Sequence, residues 1–423
     1  MAIIGAGYAG LAAAVRLADA GVPLTLFEAT RAAGGRARRV HIAGTHLDNG
    51  QHLLLGAYRQ TLALMERVAP GSSTRLLRRL PLHLERSGAF RLRAPHLPAP
   101  AHLVAALLFA RGLNWSERLG AIGFALRQRL GRFRAPPDQT VAALLAGQAA
   151  RARRELWEPL CLAALNTPPE SASAQVFLNV IEASFAHHRA DSDLLLPAAD
   201  LGQLLPEPAL RHIEAQGAEI RMGTPVRGLA AGPGGWTLTT DSGQRHFAAV
   251  VLAVGPHQLK AFAASSPALG QLAELHATRG YQPIHTVYFQ FQGARLSHPI
   301  LALDGAPGQW LVDRGQLGGP AGLLALVISA TTPELAASPL ALERLARAQL
   351  QRGFPNLAEP LWARVLAEKH ATYSCLPGQS APPTEPAPQL FLAGDYCYTH
   401  FPATLEAAVR SGAAAAQALL SKR

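Results

Sequence analysis

The chain is poor in cysteine, lysine, aromatics and charge. Its three cysteines, Cys161, Cys375 and Cys397, are odd in number and far apart. That excludes a disulfide framework and a CxxC zinc site, and it fits a reducing compartment. No stretch reaches the roughly 18 consecutive apolar residues of a membrane-spanning helix. Met1 leads straight into Ala2-Ile3-Ile4, so no secretory leader is expected and a cytoplasmic location is. Aromatics are 6% of residues and no RNA- or DNA-binding motif occurs, which argues against nucleic acid as a partner. Hydrophobic residues make up 49% against 16% charged, so disorder is excluded. The 38 glycines and 32 prolines follow no period, which excludes fibrous classes.

What is present is length and arginine. A chain of 423 residues exceeds one ordinary core and implies two or three domains, or one large α/β domain with an insertion. Lys+Arg 39 against Asp+Glu 28 leaves a net charge of +11, nearly all of it arginine. Coding bias accounts for this as well as function does. The functional alternative is attraction to a polyanion, with an anionic membrane surface ahead of nucleic acid.

Along the chain, Ala2–Ile4, Gly5-Ala6-Gly7-Tyr8-Ala9-Gly10, Leu11–Ala20 and Leu24–Phe27 read as strand, glycine turn, helix and strand, a βαβ unit. The first strand is short; either it is truncated or the true start lies upstream of Met1. A helix is expected over 61–70, a small sheet over 71–96 and a helix pair over 97–134. That pair carries more apolar surface than one face requires, and Arg127, Arg129, Arg132 and Arg134 follow it. Its apolar residues are either core or a lipid-facing surface with arginines at the headgroups. Residues 138–190 read as mostly helical and 200–215 as one helix. A strand over 217–222 is expected to continue through Val226–Leu229. Gly232–Gly235 reads as a hairpin turn, and Arg245–Val254 as one buried strand. Long strands are expected over 281–292 and 321–330. A last strand, Gln389–Ala393, precedes a helix from about Ala403 to Leu420.

Gly5-x-Gly7-x-x-Gly10 follows a strand and opens a helix, the context in which glycines permit a tight turn and close approach to a pyrophosphate. Glu28 stands where an acidic residue binds ribose hydroxyls. It would repel a 2′-phosphate, so FAD or NAD is expected, not NADP. Gly34-Gly35-Arg36 follows, where the double glycine allows close backbone approach and Arg36 either pairs with a phosphate or supports the loop. The strand-end Gly394-Asp395 brings a carboxylate toward the ribityl chain. Pro402-Ala403-Thr404 opens a helix whose positive end favours a reduced flavin ring.

These motifs resemble the amine oxidase/phytoene desaturase superfamily of FAD enzymes. Three further stretches, Leu47–Tyr58, Leu156–Thr167 with Ala174–Phe177, and Asp191–Pro197, resemble the hydroxysqualene dehydroxylases, also described as squalene-associated FAD-dependent desaturases. The resemblance runs over nearly the whole chain, with Tyr8 and Tyr396 standing where tryptophan is common. It implies an α/β fold: a discontinuous Rossmann-type FAD-binding domain (1–75, 200–265 and 375–423) with an inserted α+β substrate domain (76–199 and 266–374). It implies FAD contacts at Gly5, Ala6, Gly7, Tyr8, Ala9, Gly10, Glu28, Gly34, Gly35, Arg36, Gly50, Gln51, His52, Val226, Gly394, Asp395, Pro402, Ala403 and Thr404.

The implied reaction is reduction of hydroxysqualene to squalene. The hydrophobic isoprenoid substrate would enter from a membrane surface near 97–134, and an unidentified donor would re-reduce the flavin. The poor leaving group calls for an acid, with His52, Tyr396 and His400 as candidates. Asp48 reads as a structural loop carboxylate, Asn166 and Gln175 as groups that either orient the substrate hydroxyl or, more commonly for such residues, cap helices, and His187-His188 with Asp191 and Asp193 as a solvated loop rather than a metal site. The rivals are a carotenoid-type desaturase and a non-catalytic lipid escort of the same fold, as in Rab GDP-dissociation inhibitors. Intact Glu28, Gly34-Gly35-Arg36 and Asp395 argue against the escort.

Overall fold

The computed structural model describes residues 1–42, 44–86, 89–330 and 338–422. Its centre is a five-stranded parallel sheet in the order 219–221, 25–27, 2–4, 250–252, 390–392. Four of these strands are buried throughout, as a parallel sheet covered on both faces requires. Parallel strands align their carboxyl ends. Gly5, Glu28, Ala253 and Gly394 therefore follow their strands on one side of the sheet, where ligands of open α/β sheets bind.

The first helix, Tyr8–Asp19, is alanine-rich and buries ten residues. Small residues let it lie close against the last helix, Leu405–Leu420. A Cβ on Gly412 would stand 2.0 Å from the Ala9 carbonyl oxygen, so only glycine fits. The last helix also caps another from outside. Glu406, fully buried, accepts from the backbone N–H of Gln60 (3.1 Å) and Thr61 (2.9 Å) at the start of the Arg59–Val68 helix.

A seven-stranded sheet forms the second layer, in the order 362–373, 281–290, 323–329, 310–313, 300–302, 83–86, 90–93. Its long strands pair antiparallel. The Pro339–Gly353 helix packs Leu342, Ala346 and Leu350 against Val287, Phe289, Leu324 and Leu326. Leu82, Phe90 and Leu92 pack instead with Leu107, Phe124, Trp157 and Phe177 of the helical region.

Three expectations over 200–254 need correction. The helix over 200–215 is two, Leu201–Leu204 and Pro206–Ala215, because Pro206 lacks an N–H and cannot continue a helix. Val226–Gly232 does not continue Glu219–Arg221. The chain turns at Gly223 (φ +64°) and starts a separate antiparallel sheet, 226–232, 235–240 and 243–247. The apolar run over 245–254 is not one strand either. It bends at Ala248 and passes from that sheet into the parallel one at Val250–Leu252. A run of apolar residues signals burial on both sides but not which sheet supplies it.

The expected helix pair is Ala101–Leu108 and Trp115–Leu130. Asn114 and Glu117 form a reciprocal capping box at the start of the second, which fixes its entry. The apolar residues of this pair divide between two faces. Ala106, Leu107, Ala121 and Phe124 are core, while Phe109, Trp115, Leu119, Leu126 and Leu130 are exposed.

Candidate functional site

The two glycine loops touch. Gly7 bridges to Gly34 in parallel fashion, and the Gly34 N–H donates to the Ala6 carbonyl at 2.8 Å. A Cβ on Gly10 would stand 1.9 Å from the Gly5 carbonyl oxygen, and one on Gly5 (φ +105°) would stand 2.5 Å from that of Ala253. Gly7 caps the first helix with no side chain, so the helix's leading N–H groups stay available to an anion. Glu28 accepts from the Ala6 N–H at 2.8 Å and from Thr30, which fixes its carboxylate beside the loop. A cradle that any Cβ would fill, a bare helix N-terminus and an anchored strand-end acid together fit a dinucleotide cofactor.

Arg36 supports the loop. Its Nη2 lies 2.7 Å from Asp395 Oδ1, and its Nη1 donates to the Ala371 carbonyl at 2.9 Å. One guanidinium thus ties the Gly34-Gly35 loop, the Gly394-Asp395 loop and the Trp362–Tyr373 strand together. A bidentate donor suits this. Pro402 precedes the last helix rather than opening it: the helix begins at Leu405, and Thr404 caps it by accepting from the Ala407 N–H at 3.1 Å.

From this junction a cavity of about 680 Å³ runs into the second layer. Arg36, Gly50, Gln51, His52, Pro402, Ala403 and Thr404 line one end. Beyond them the wall is largely aliphatic and aromatic, with Leu84, Phe90, Leu103, Leu107, Phe124 and Trp157. The first and third family-like stretches build the near wall together. Leu54–Leu55 pairs with Leu194–Leu195, and the N–H groups of Gly56 and Ala57 donate to the carbonyls of Asp193 and Asp191. A Cβ on Gly56 would stand 1.7 Å from the Ala190 carbonyl oxygen, so glycine is required there.

Of the three candidate acids, only His52 reaches this cavity. Burial first, then Arg36, pull its imidazole down to about 4 against the opposing pull of Glu368, so it is neutral at neutral pH. Tyr396 is fully buried in an apolar cluster, edge-on to His276 at 4.8 Å. His400 is exposed and lines a separate pocket of about 410 Å³ with Gln175. Val226 starts its strand half-buried against the same apolar cluster as Tyr396.

Asp48 is structural as expected. It is buried, accepts from the Leu201 N–H at 2.8 Å, and is pushed up to about 6 by burial despite Arg314. The solvated-loop reading of 187–193 needs correction. His187 and His188 are exposed, but Asp191 and Asp193 are buried and paired with Arg59, Arg79 and Arg189. Gln175 is no simple cap: it receives the Ala135 N–H and donates to Phe133 and Asn179. Asn166 ends its helix in the left-handed region and donates to Thr372 at 2.9 Å on the cavity wall.

Sequence reasoning missed two features. Glu368 accepts from Asn49 at 2.8 Å at the Arg36 end of the cavity; it sits in a strand with no motif around it. Arg153–Trp157 is a π-helical turn, a geometry often found at functional sites. It places Arg154, Glu155, Leu156 and Trp157 on the cavity, with Glu155 paired to Arg86. No sequence pattern announces such a turn.

A parallel sheet with paired glycine loops at its carboxyl edge, joined to a deep apolar cavity, defines a flavin-dependent oxidoreductase. The chain belongs to the flavin containing amine oxidoreductase family, whose profile matches residues 8–420. It is 29% identical over 432 residues to hydroxysqualene dehydroxylase of Sinorhizobium fredii, covering 99% of this chain and 98% of that one. It is 23% identical over 469 residues to 15-cis-phytoene desaturase of Synechococcus elongatus, covering 100% and 96%. In fold it is similar to an oxidoreductase from Methanosarcina mazei, with a TM-score of 0.75 at 16% identity over 99% of both chains.

Proposed function

We propose that the chain is an FAD-dependent enzyme that reduces hydroxysqualene to squalene. The observation that carries this is the full-length similarity to a hydroxysqualene dehydroxylase, expressed in a cavity whose apolar wall ends at Gly50-Gln51-His52 beside the Arg36–Asp395 pair. FAD is the form favoured, because Glu28 beside the glycine loop suits an unphosphorylated ribose. The domain division read from the sequence is supported by the five parallel strands, all of which fall within 1–75, 200–265 and 375–423.

When bound, reduced flavin supplies hydride to an allylic carbon. The chain's own residues do the rest. The aliphatic wall replaces water around an isoprenoid, at about 0.8 kcal/mol per CH₂ removed from water. As the C–O bond breaks with its electron pair, the oxygen needs a proton to leave as water. The neutral His52 imidazole and the Glu368 carboxyl, held by Asn49, are among the polar groups at that end.

The substrate's insolubility calls for a membrane surface. No helix among the described residues is long and apolar enough to cross a membrane, and the reading is peripheral attachment at the inner face. The helix pair supports it: Leu103, Leu107 and Phe124 face the cavity while Phe109, Trp115 and Leu130 face outward beside Arg127 and Arg129. The electron donor is taken to be a separate molecule that visits the flavin.

The similarity to a phytoene desaturase supports one alternative, oxidation of a saturated polyprene. Purified protein offered hydroxysqualene under reducing conditions and phytoene under oxidising conditions separates the two. Squalene from the first and no product from the second is expected; desaturated product from the second alone overturns the proposal.

A further inference from the structure

The cavity wall has a seam. Among the described residues, the hairpin formed by His83–Arg86 and Phe90–Arg93 joins the rest of the seven-stranded sheet through one parallel bridge, Ala302 to Arg86. Leu84, Glu85 and Arg86 line the cavity on one side of that seam, and Ile300 and Ala302 on the other. One bridge is little pairing for a wall that must enclose a large apolar ligand.

Three potential ligands meet across this seam. His83 and Glu85 stand two apart on one strand and so face the same side. His298, two residues ahead of the Ile300–Ala302 strand, reaches them from the other side. His83 Nε2 lies 3.0 Å and His298 Nε2 3.9 Å from the same Glu85 oxygen, and one ligand atom from each residue falls within 4.8 Å of the others. The two imidazoles sit edge-on, centroids 4.9 Å apart. His83 Nε2 is itself buried.

We propose that His83, Glu85 and His298 form a binding site for a divalent transition-metal ion of the zinc class, which staples the seam of the cavity wall. Two imidazoles and a carboxylate are a zinc donor set, and bonds of about 2.1 Å in a tetrahedron put donor atoms ~3.4 Å apart. The separations of 3.0 and 3.9 Å from Glu85 bracket that value. Arg93 and Arg91 stand opposite His83 and Glu85 on the neighbouring strand. Their positive charge weakens the binding of any divalent cation here, and magnesium and calcium are disfavoured further because they need more oxygen ligands than one carboxylate supplies. Three protein ligands leave a fourth position for water. Sequence spacing does not reveal the set, because its third member lies far along the chain.

The test uses full-length flavin-loaded protein stripped of metal by dialysis against chelator. Zinc chloride titrated in a calorimeter, with a chromophoric chelator as competitor, should bind one ion per chain and raise the melting temperature. Magnesium chloride should do neither. His298→Ala, in a half-exposed loop, and Glu85→Gln should each weaken zinc binding at least tenfold while keeping wild-type flavin content. A double variant, His187→Ala with His188→Ala, should bind as wild type does. No stoichiometric zinc binding, undiminished binding in His298→Ala, or loss in the His187/His188 variant would each overturn the site.

Discussion

Arg36 and Asp395 meet at 2.7 Å, joining the second glycine loop to the strand-end loop near the other end of the chain. Asp395 is buried and the guanidinium is about one-third exposed. The pair holds in one place the two loops that a flavin must pass between. Removing one partner strands the other's charge, and a fully buried pair broken in this way costs about 3–5 kcal/mol; the exposure of Arg36 lowers that here. Asp395→Ala should therefore release flavin on gel filtration while the protein remains folded. Unchanged flavin content, measured from the absorbance ratio, contradicts this role.

Glu406 should matter to stability and not to chemistry. Its carboxylate accepts from two backbone N–H groups, from the Thr61 hydroxyl at 2.8 Å and from Arg410 at 2.8 Å. Glu406→Ala leaves the two buried Thr61 donors unpaired, and each buried unpaired donor costs about 1–3 kcal/mol. The urea midpoint should fall markedly, with a smaller drop for Glu406→Gln, which keeps one acceptor oxygen.

Acid should destabilise the fold through its histidines. His52, His257 and His276 are each pulled to about 4, chiefly by burial. Between about 6.5 and 4 the unfolded chain binds protons that the folded chain does not, so stability rises with pH across that window. The stabilising effect is complete above about 6.5 and is lost as pH falls toward 4. Asp48, raised to about 6 by burial, acts in the opposite sense between its ordinary value and 6. One carboxyl does not offset three imidazoles. The melting temperature should drop between pH 7.5 and pH 5, and His52→Gln should make that drop smaller.

The proposed membrane attachment rests on side chains that the structure separates from their neighbours. Leu107 is core, at 1% exposure, whereas Phe109 and Leu130 are 74% and 84% exposed. Leu107→Asp would thus test folding. Phe109→Asp with Leu130→Asp should lower co-sedimentation with anionic vesicles tenfold or more, since burying one large side chain is worth about 1.5–3 kcal/mol. The melting temperature should not change. Equal vesicle binding by this double variant would remove the surface from consideration.

The dinucleotide half of the molecule was legible because its signals are local. Gly5, Gly7, Gly10 and Glu28 announce a strand–turn–helix–strand whose spacing is set by backbone sterics. The catalytic end was not, because it is assembled from distant pieces. Tyr396 and His400 lie near Asp395 in sequence, yet a buried short helical turn at Asp395–Cys397 sends one into an apolar cluster and the other to the surface. Glu368 and Asn49 stand 319 residues apart and meet only in the fold, and Glu155 reaches the cavity only through a π-turn. Asp191 and Asp193 read as loop polar residues because their arginine partners, Arg59 and Arg79, belong to other elements.

Reduced flavin in this cavity should be consumed by an allylic alcohol. Anaerobic protein with photoreduced flavin, mixed with hydroxysqualene in detergent, should recover the oxidised flavin spectrum and yield one squalene per flavin by mass spectrometry. A flavin that is present and reducible, yet stays reduced in the presence of hydroxysqualene, would contradict the account.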